Sequence, residues 1–524
     1  MAESRKTNLG LLLVLICIPI FIGALDLTVV SAVLPHVILD LNIPLQNGLD
    51  NAAWLVTGYL LAYSISMTFM GRLSDLVGRR RVYLIALAVF ALGSYLVATA
   101  STWPTQMVLR GYYLVASGRP DVSYVTLYVL IAARMIQAFG AGTMVPVGMA
   151  MVGDLYPLGK RARPLGVIAA VDTAGWVVGH LYGGIVVRFW DWRMIFWLNL
   201  PACLIAFVMI WYLLRGVPQE RSEGNMDWLG ALLIAVSLTM LIVGLGGGAE
   251  NTNLTSAKTQ SGLPAYAWPM ILTSVVFLGL FLWRQKKTPY PLVDLSLFRL
   301  QNFLPASLAN FLVGFSLFIA IANVPLFINS LVASSLEQGA WDSGWMLSAL
   351  TVPMALASVP GGWLADKRGY RFPSVIGLII ACIGFLLMST WKAETSFAVM
   401  ASHLILGGVG IGLTMAPIAT AVVNASPPDQ RGASSALVII FRLIGMTIGV
   451  SSITTYDLQR AETLGGKLLA AAPSLDETIR VGMEVIERVI SETFIIAGVV
   501  AILALVPILF LKDHTQKSEV ENVR

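Results

Sequence analysis

Charge is scarce in this chain of 524 residues: only 12% are Asp, Glu, Lys or Arg. A soluble domain carries about 25%, so an ordinary soluble globular protein is excluded. Cysteine is nearly absent. The three present, Cys17, Cys203 and Cys382, all fall inside apolar segments, which excludes a disulfide framework. The phosphate-cradling GxxxxGK[ST] loop is missing, so ATP is not the implied energy source. No residue stands out as catalytic or as a metal ligand, no cofactor is expected, and the chain reads as a non-enzyme.

What the chain has is apolar length: 57% of its residues are hydrophobic. A membrane-crossing helix needs about 20 such residues. Suitable runs lie near 10–34, 52–71, 82–101, 125–150, 164–187, 194–214, 227–247, 266–284, 303–330, 340–364, 372–390, 396–422, 433–456 and 489–511, fourteen in all. Of the 34 Lys and Arg, 22 fall in the two tails and the even-to-odd loops, 10 in the odd-to-even loops, and two, Arg134 and Arg442, inside spans. The positive-inside rule then puts both termini in the cytoplasm. Those loops account for the net charge of +5 without a nucleic-acid partner. Residues 4–25 look like a secretory signal, but the apolar run continues past any small-residue site and carries Asp26. A retained first helix is expected.

The sequence repeats. Gly71, Leu73, Asp75 and Gly78 of GRLSDLVGRRR (71–81) match Gly362, Leu364, Asp366 and Gly369 of GWLADKRGYR (362–371) at an offset of 291. Gly140, Gly142, Gly175 and Gly179 match Gly410, Gly412, Gly445 and Gly449 at an offset of 270. The difference leaves roughly 21 extra residues in the first half, around 103–123. The expected fold is all-α and polytopic. Its domains are a six-helix bundle over 1–216, two extra spans with linkers over 217–300, and a second six-helix bundle over 301–524. Two such repeats place a substrate site between halves near the midplane.

Five stretches carry a family resemblance. GRLSDLVGRRR and RMIQAFGAG (134–142) resemble motifs of the major facilitator superfamily. LDLTVVSAVLP (25–35), DWRMIFWLNLP (191–201) and LVDLSLFRLQNF (292–303) resemble motifs of its fourteen-span drug:proton antiporter family. There are departures. Gly166, Gly175, Gly179, Gly183 and Gly184 fit the family's fifth-helix antiporter motif, but its Pro is His180 here. Ala138, Ser31 and Tyr370 also depart, Tyr370 standing where the second signature loop has a basic residue.

The resemblance implies that Gly71, Asp75, Gly78, Arg79 and Arg80 form a cytoplasmic latch that breaks and reforms. The plainer reading is topology, with arginines holding the loop inside. Gly175, Gly179 and Gly183 form a small-residue face of the GxxxG kind, read either as close packing or as a seal. His180 keeps the backbone hydrogen bond that Pro would remove and adds a titratable ring.

Asp26 and Arg134 lie at compatible depths, roughly 16 residues from the inner end and 10 from the outer end of their spans. Ionisable residues in spans are costly and mark function. Proximity to Arg134 favours an ionised Asp26, while apolar surroundings favour the protonated form; a carboxylate moved between the two couples to protons. The alternative is a static ion pair. Ser316 and Leu404 stand at the matching places of the second half, so the coupling chemistry belongs to the first. Asp172 and Arg442 occupy equivalent positions and are candidate cavity charges; the plainer reading is that each pairs locally or snorkels to the interface. Trp54, Tyr59 and Tyr63 suit an apolar pocket, and aromatic rings near a carboxylate suit a lipophilic cation.

The function expected is proton-coupled export of hydrophobic or cationic drugs across the cell membrane by alternating access, as in multidrug efflux and antibiotic resistance. The alternatives are export of a specific endogenous metabolite or lipid, and a transport-silent membrane sensor. Expected partners are the substrate, protons and the bilayer. The 103–123 insertion and the amphipathic segment 475–490 offer places for an accessory adaptor protein. Asn253, with Leu254 and Thr255, forms a glycosylation sequon on an outside loop.

Overall fold

A computed structural model describes residues 9–43, 52, 54–115, 118–157, 159–215, 223–246, 266–333, 336–469 and 475–513. The sequon at Asn253 lies outside them. Among the described residues regular structure is helical, with no strand. The reason is physical: in hydrocarbon every backbone N–H and C=O must pair internally.

The first half holds α1 (Leu9–Asp40), α2 (Trp54–Val77), α3 (Arg79–Ala98), α4 (Trp103–Val115), α5 (Val122–Leu155), α6 (Ala162–Phe189) and α7 (Met194–Leu213). Between the halves run α8 (Trp228–Gly246) and α9 (Ala267–Lys287). The second half holds α10 (Phe303–Phe327), α11 (Leu336–Arg368), α12 (Arg371–Met388), α13 (Phe397–Ala425), α14 (Arg431–Leu469), α15 (Leu475–Leu503) and α16 (Leu505–Leu509). Every predicted apolar stretch falls on these helices. Among the described residues, twelve helices are long and apolar enough to cross a membrane by length and composition.

Two elements differ from expectation. The segment 475–490 is not a separate short helix but the first half of α15; no Gly or Pro occurs from Met483 to Ala497 to break it. α14 continues well past residue 456, where its apolar stretch ends. Arg460 of this extension clamps Glu492 of α15 through Nε at 2.8 Å and Nη2 at 2.9 Å, and Tyr456 donates its hydroxyl to the same carboxylate at 2.7 Å.

The chain forms two compact units. Unit 1 comprises Met1–Tyr156, Val171–Ala231 and Pro427–Ala436; unit 2 comprises Pro157–Ala170, Leu232–Ser426 and Leu437–Arg524. The sequence repeat recurs as repeated contacts inside each. In unit 1, a Cβ on Gly140 would stand 2.8 Å from Phe90 Cβ, and one on Gly142 2.9 Å from the Tyr63 carbonyl carbon. In unit 2, a Cβ on Gly410 would stand 2.6 Å from Ala381 Cα, and one on Gly412 2.9 Å from the Met354 carbonyl carbon. Ala381 and Met354 are Phe90 and Tyr63 shifted by 291. Glycine is needed at all four places because helix backbones touch there.

An apolar cluster in unit 1 joins Leu25 and Val29 of α1, Leu130 and Ala133 of α5, and Ile195 and Phe196 of α7. It sets the faces of α1, α5 and α7 that carry the polar residues described next. α8 and α9 are held together in part by Ser237, whose hydroxyl donates to the Ser274 carbonyl at 3.0 Å.

Candidate functional site: a buried ion pair and paired helix caps

Asp26 is fully buried and Arg134 is 1% exposed. Arg134 Nη1 donates to Asp26 Oδ2, and Nη2 donates to the Asp26 carbonyl oxygen at 2.9 Å. Nη1 also reaches Gln137 Oε1 at 2.6 Å. Gln137 Nε2 donates to Ser94 Oγ at 2.7 Å. Asn199 Nδ2 donates to Asp26 Oδ1 and to Ser94 Oγ, both at 3.4 Å. The guanidinium lies 4.1 Å above the Tyr59 ring and 5.7 Å from that of Phe196. Tyr59 donates its own hydroxyl to the Gly23 carbonyl at 3.1 Å.

Four helices therefore close on one carboxylate: α1 carries it, α5 the cation and Gln137, α3 Ser94, and α7 Asn199. Gln137 lies three residues after Arg134, one helical turn, and that spacing could have named it. Asn199 stood inside a quoted motif, with nothing to point it at Asp26. Tyr59 is buried against Arg134 and does not line an open pocket, because a desolvated guanidinium takes an aromatic face. Tyr63 stacks on Tyr59 with centroids 6.1 Å apart, and Trp54 is exposed.

The glycine face of α6 bears on the same stretch of α1. A Cβ on Gly175 would stand 2.6 Å from Ala24 Cβ and 2.7 Å from the Phe21 oxygen; one on Gly179 would stand 2.5 Å from the Leu25 oxygen. Thr28 donates to the Trp176 carbonyl at 2.8 Å. In unit 2, Gly445 and Gly449 pack on Phe311 and Phe315, the residues equivalent to Phe21 and Leu25. The face does not extend to Gly184, which has nothing within 4 Å of its built Cβ. Gly166 packs in unit 2, 2.6 Å from the Ser358 oxygen by the same measure. Gly183 is buried. His180 lies on α6, and its side chain is outside the described residues.

The signature loop forms a second polar cluster. Asp75 lies beyond the apolar stretch of α2, and its two oxygens accept from the backbone N–H of Gly432 at 2.9 Å and Ala433 at 3.0 Å. It thereby caps the start of α14, whose N–H groups have no partners of their own. Burial pushes the Asp75 carboxyl up to about 6, against the pull of Arg79 and the two backbone donors. Arg79 pairs with Asp75 at 3.1 Å and with Asp154. It also donates to the Pro428 carbonyl at 2.6 Å. Arg431 completes the group, 2.9 Å from Asp154. Gly71 lets α14 approach: its Cβ would stand 2.9 Å from Ala436 Cβ. Gly78 turns the chain at φ 108°, a conformation that suits glycine. Arg80 donates to the Leu214 and Trp211 carbonyls at 3.2 and 2.9 Å.

Unit 2 repeats this cluster with different chemistry. Asp366 accepts from the N–H of Ala162 and of Arg163, both at 3.2 Å, and so caps the start of α6. Gly369 repeats Gly78 at φ 81°. Tyr370 stands where Arg79 does, and Asn424 where Asp154 does. Asn424 donates to the Tyr370 hydroxyl at 2.8 Å and accepts from Arg161 at 3.1 Å. Arg161 in turn is the counterpart of Arg431. One Arg–Asp pair has thus become one Tyr–Asn pair, so Tyr370 is half of a matched exchange rather than a lost charge.

Residues 16–450 and again 306–524 match the profile described as Major Facilitator Superfamily. The chain belongs to the major facilitator superfamily. A triacylglyceride transporter of Mycolicibacterium hassiacum is 30% identical over 90% of this chain and 83% of its own length. One of Mycobacterium tuberculosis strain H37Rv is 30% identical over 96% and 95%, and one of Mycobacteroides abscessus 31% over 84% and 81%. Among solved structures, the proton:xylose symporter XylE superposes with a TM-score of 0.61 at 13% identity, over 96% of this chain and 95% of that one. The human organic anion transporter MFSD10 gives 0.59 at 14%, over 98% and 100%. At those identities the superpositions speak for the fold alone. Membership makes the chain a multi-pass membrane transporter and not an enzyme.

The other candidate charges of this superfamily member lie in different units. Asp172 is buried in unit 1 and Arg442 is half-buried in unit 2, where Gly314 packs on its backbone.

Two predictions follow from this geometry. Arg134→Leu strands a buried carboxylate, a change that costs about 3–5 kcal/mol; adding Asp26→Asn should recover at least half of the lost thermal stability, and equal melting of single and double variants would contradict the pairing. Tyr370→Arg should destabilise alone, whereas Asn424→Asp keeps Arg161 as a partner and should cost little. Together they recreate the unit 1 pair, with a favourable coupling of about 0.5–3 kcal/mol in a double-variant melting cycle; strict additivity would count against the matched exchange.

Proposed function

We propose that this chain is a proton-coupled exporter of a neutral, triacylglyceride-like lipid, working by alternating access in the cell membrane. It belongs in this reading to the fourteen-span branch of the superfamily, with both termini cytoplasmic. Its parts are two six-helix bundles, 1–216 and 301–524, with two extra spans between. The observation that carries the coupling is the enclosure of Asp26 by Arg134, Asn199 and, through them, Gln137 and Ser94. The cargo follows from relatives that are named triacylglyceride transporters and match nearly the whole chain at 30% identity. They favour the lipid alternative over drug efflux.

Ionised Asp26 holds Arg134, and α5 is locked to α1. A proton on Asp26 removes the charge that binds them. The guanidinium then keeps Gln137 Oε1, the Asp26 carbonyl and the Tyr59 face, while Asn199 still holds Asp26 Oδ1. Both groups thus keep hydrogen-bond partners when the pair breaks, while the guanidinium loses its counter-charge, so the open form is the less stable one of the cycle. The Asp75 and Asp366 caps are the groups that release and recapture α14 and α6 as the halves move.

Exchange of one proton for a neutral lipid uses both parts of the proton gradient. One pH unit supplies about 1.4 kcal/mol and 100 mV about 2.3 kcal/mol per charge. Together that is about 3.7 kcal/mol, a few hundredfold in concentration at about 1.4 kcal/mol per factor of ten. The motifs shared with drug:proton antiporters favour a second reading, in which the cargo is a lipophilic drug. Proteoliposomes with a pH gradient, offered a fluorescent triacylglyceride or a lipophilic cation, separate the two. The expected result is lipid movement with proton counterflow, both lost in Asp26→Asn. Lipid movement that persists unchanged in Asp26→Asn overturns the coupling, and movement of the cation alone overturns the cargo.

A further inference from the structure

α4 occupies most of the insertion that the second half lacks. Its first turn is fixed: Pro104 and Thr105 are buried, and Thr105 donates to the Ala100 carbonyl at 2.7 Å and meets Thr126 Oγ1 at 3.3 Å. Beyond that turn the helix stands clear of the bundle. Met107, Val108, Tyr112 and Tyr113 are exposed, and Leu114 and Val115 reach 87% and 90%. Arg110 is the only charged residue in the thirteen. With Gln106, four residues earlier, it forms a narrow polar stripe on one face. Trp103 and Tyr113 flank that stripe at helical spacing, and aliphatic side chains fill most of the remaining circumference.

The place where α4 leaves the bundle shows what covers it. The Trp103 ring lies 6.4 Å from Tyr95, near the end of α3, and Tyr95 lies 5.9 Å from Trp197, in the first turn of α7. All three rings are exposed. Exposed Trp and Tyr gathered at the ends of spanning helices mark the membrane–water interface. α4 therefore departs at that level, on the side opposite the signature loop. A helix with one cation, flanking amphipathic rings and a wide apolar face partitions into an interface. Its Arg and aromatic tips reach water while their stems stay in the acyl region.

We propose that α4 is an interfacial helix seated in the bilayer leaflet opposite the signature loop, predicted to be the outer one, with lipid as its partner. It gives the first half a foothold in that leaflet. The proposal stands on α4 and the aromatic girdle, independent of cargo and coupling.

Site-directed spin labelling tests it on the full chain in lipid nanodiscs. The three buried cysteines are replaced by Ala, and retention of the parent melting temperature verifies folding. Single cysteines are then placed at Val108, Val115 and Gln106, with Leu92, exposed on the spanning helix α3, as the lipid reference. The expected result is an oxygen-to-nickel-chelate collision ratio at 108 and 115 within about twofold of position 92 and severalfold above position 106. Nickel access at 108 and 115 equal to that at 106 places the helix in water and overturns the proposal. Labels at 108 and 115 immobilised and shielded from both relaxants mean that a second copy or another protein covers the face, and overturn it equally.

Discussion

A charge buried in a membrane bundle must be neutralised where it stands, because no water is there to do it. Asp26 sits on α1 among Leu25, Val29 and Phe196, and the first half is arranged to meet its demand. α5 supplies Arg134, α7 supplies Asn199, and α3 supplies Ser94 through Gln137. α6 packs its glycines on the residues flanking Asp26. The helix contacts and the polar contacts are thus one set of constraints. The ion pair and the bond from Arg134 to the Asp26 carbonyl both tie α5 to α1.

The internal repeat shows which features serve the fold and which serve the chemistry. Gly140 and Gly410, Gly142 and Gly412, Gly175 and Gly445 make the same contacts in each unit, so they are requirements of helix packing. Asp75 and Asp366 cap equivalent helix starts, so capping is common to both. Asp26 and Arg134 have no counterparts: Ser316 bonds within its own helix, to Val313, and Leu404 is buried. The asymmetry between Arg79–Asp154 and Tyr370–Asn424 is of a third kind. It keeps a polar contact and drops one pair of charges, while Asp366 and Arg161 keep charge in the second cluster.

The apolar stretches were legible because lipid enforces one rule over about twenty residues at a time; among the described residues, twelve of the fourteen lie on helices long and apolar enough to cross a membrane. The repeat was legible because glycines at backbone contacts cannot drift. Arg134 near Asp26 was legible from depth. Asn199 was not, because its contact depends on the rotation of α7, which a helix apolar on nearly every face leaves open. Tyr370 read as a loss until Asn424, 54 residues on, showed the compensating exchange. The segment 475–490 read as a separate amphipathic helix because its polar face ends where the apolar run begins. The backbone runs on because nothing there breaks it.

In the proposed cycle Asp26 exchanges a proton as its pair with Arg134 opens and closes. Infrared difference titration of the reconstituted chain, with and without an added triacylglyceride, reads that proton on the carboxyl itself. The expected result is a protonated-carboxyl C=O band that is absent in Asp26→Asn and whose midpoint moves when the lipid is added. A band that titrates identically with and without lipid, or that survives in Asp26→Asn, overturns the exchange.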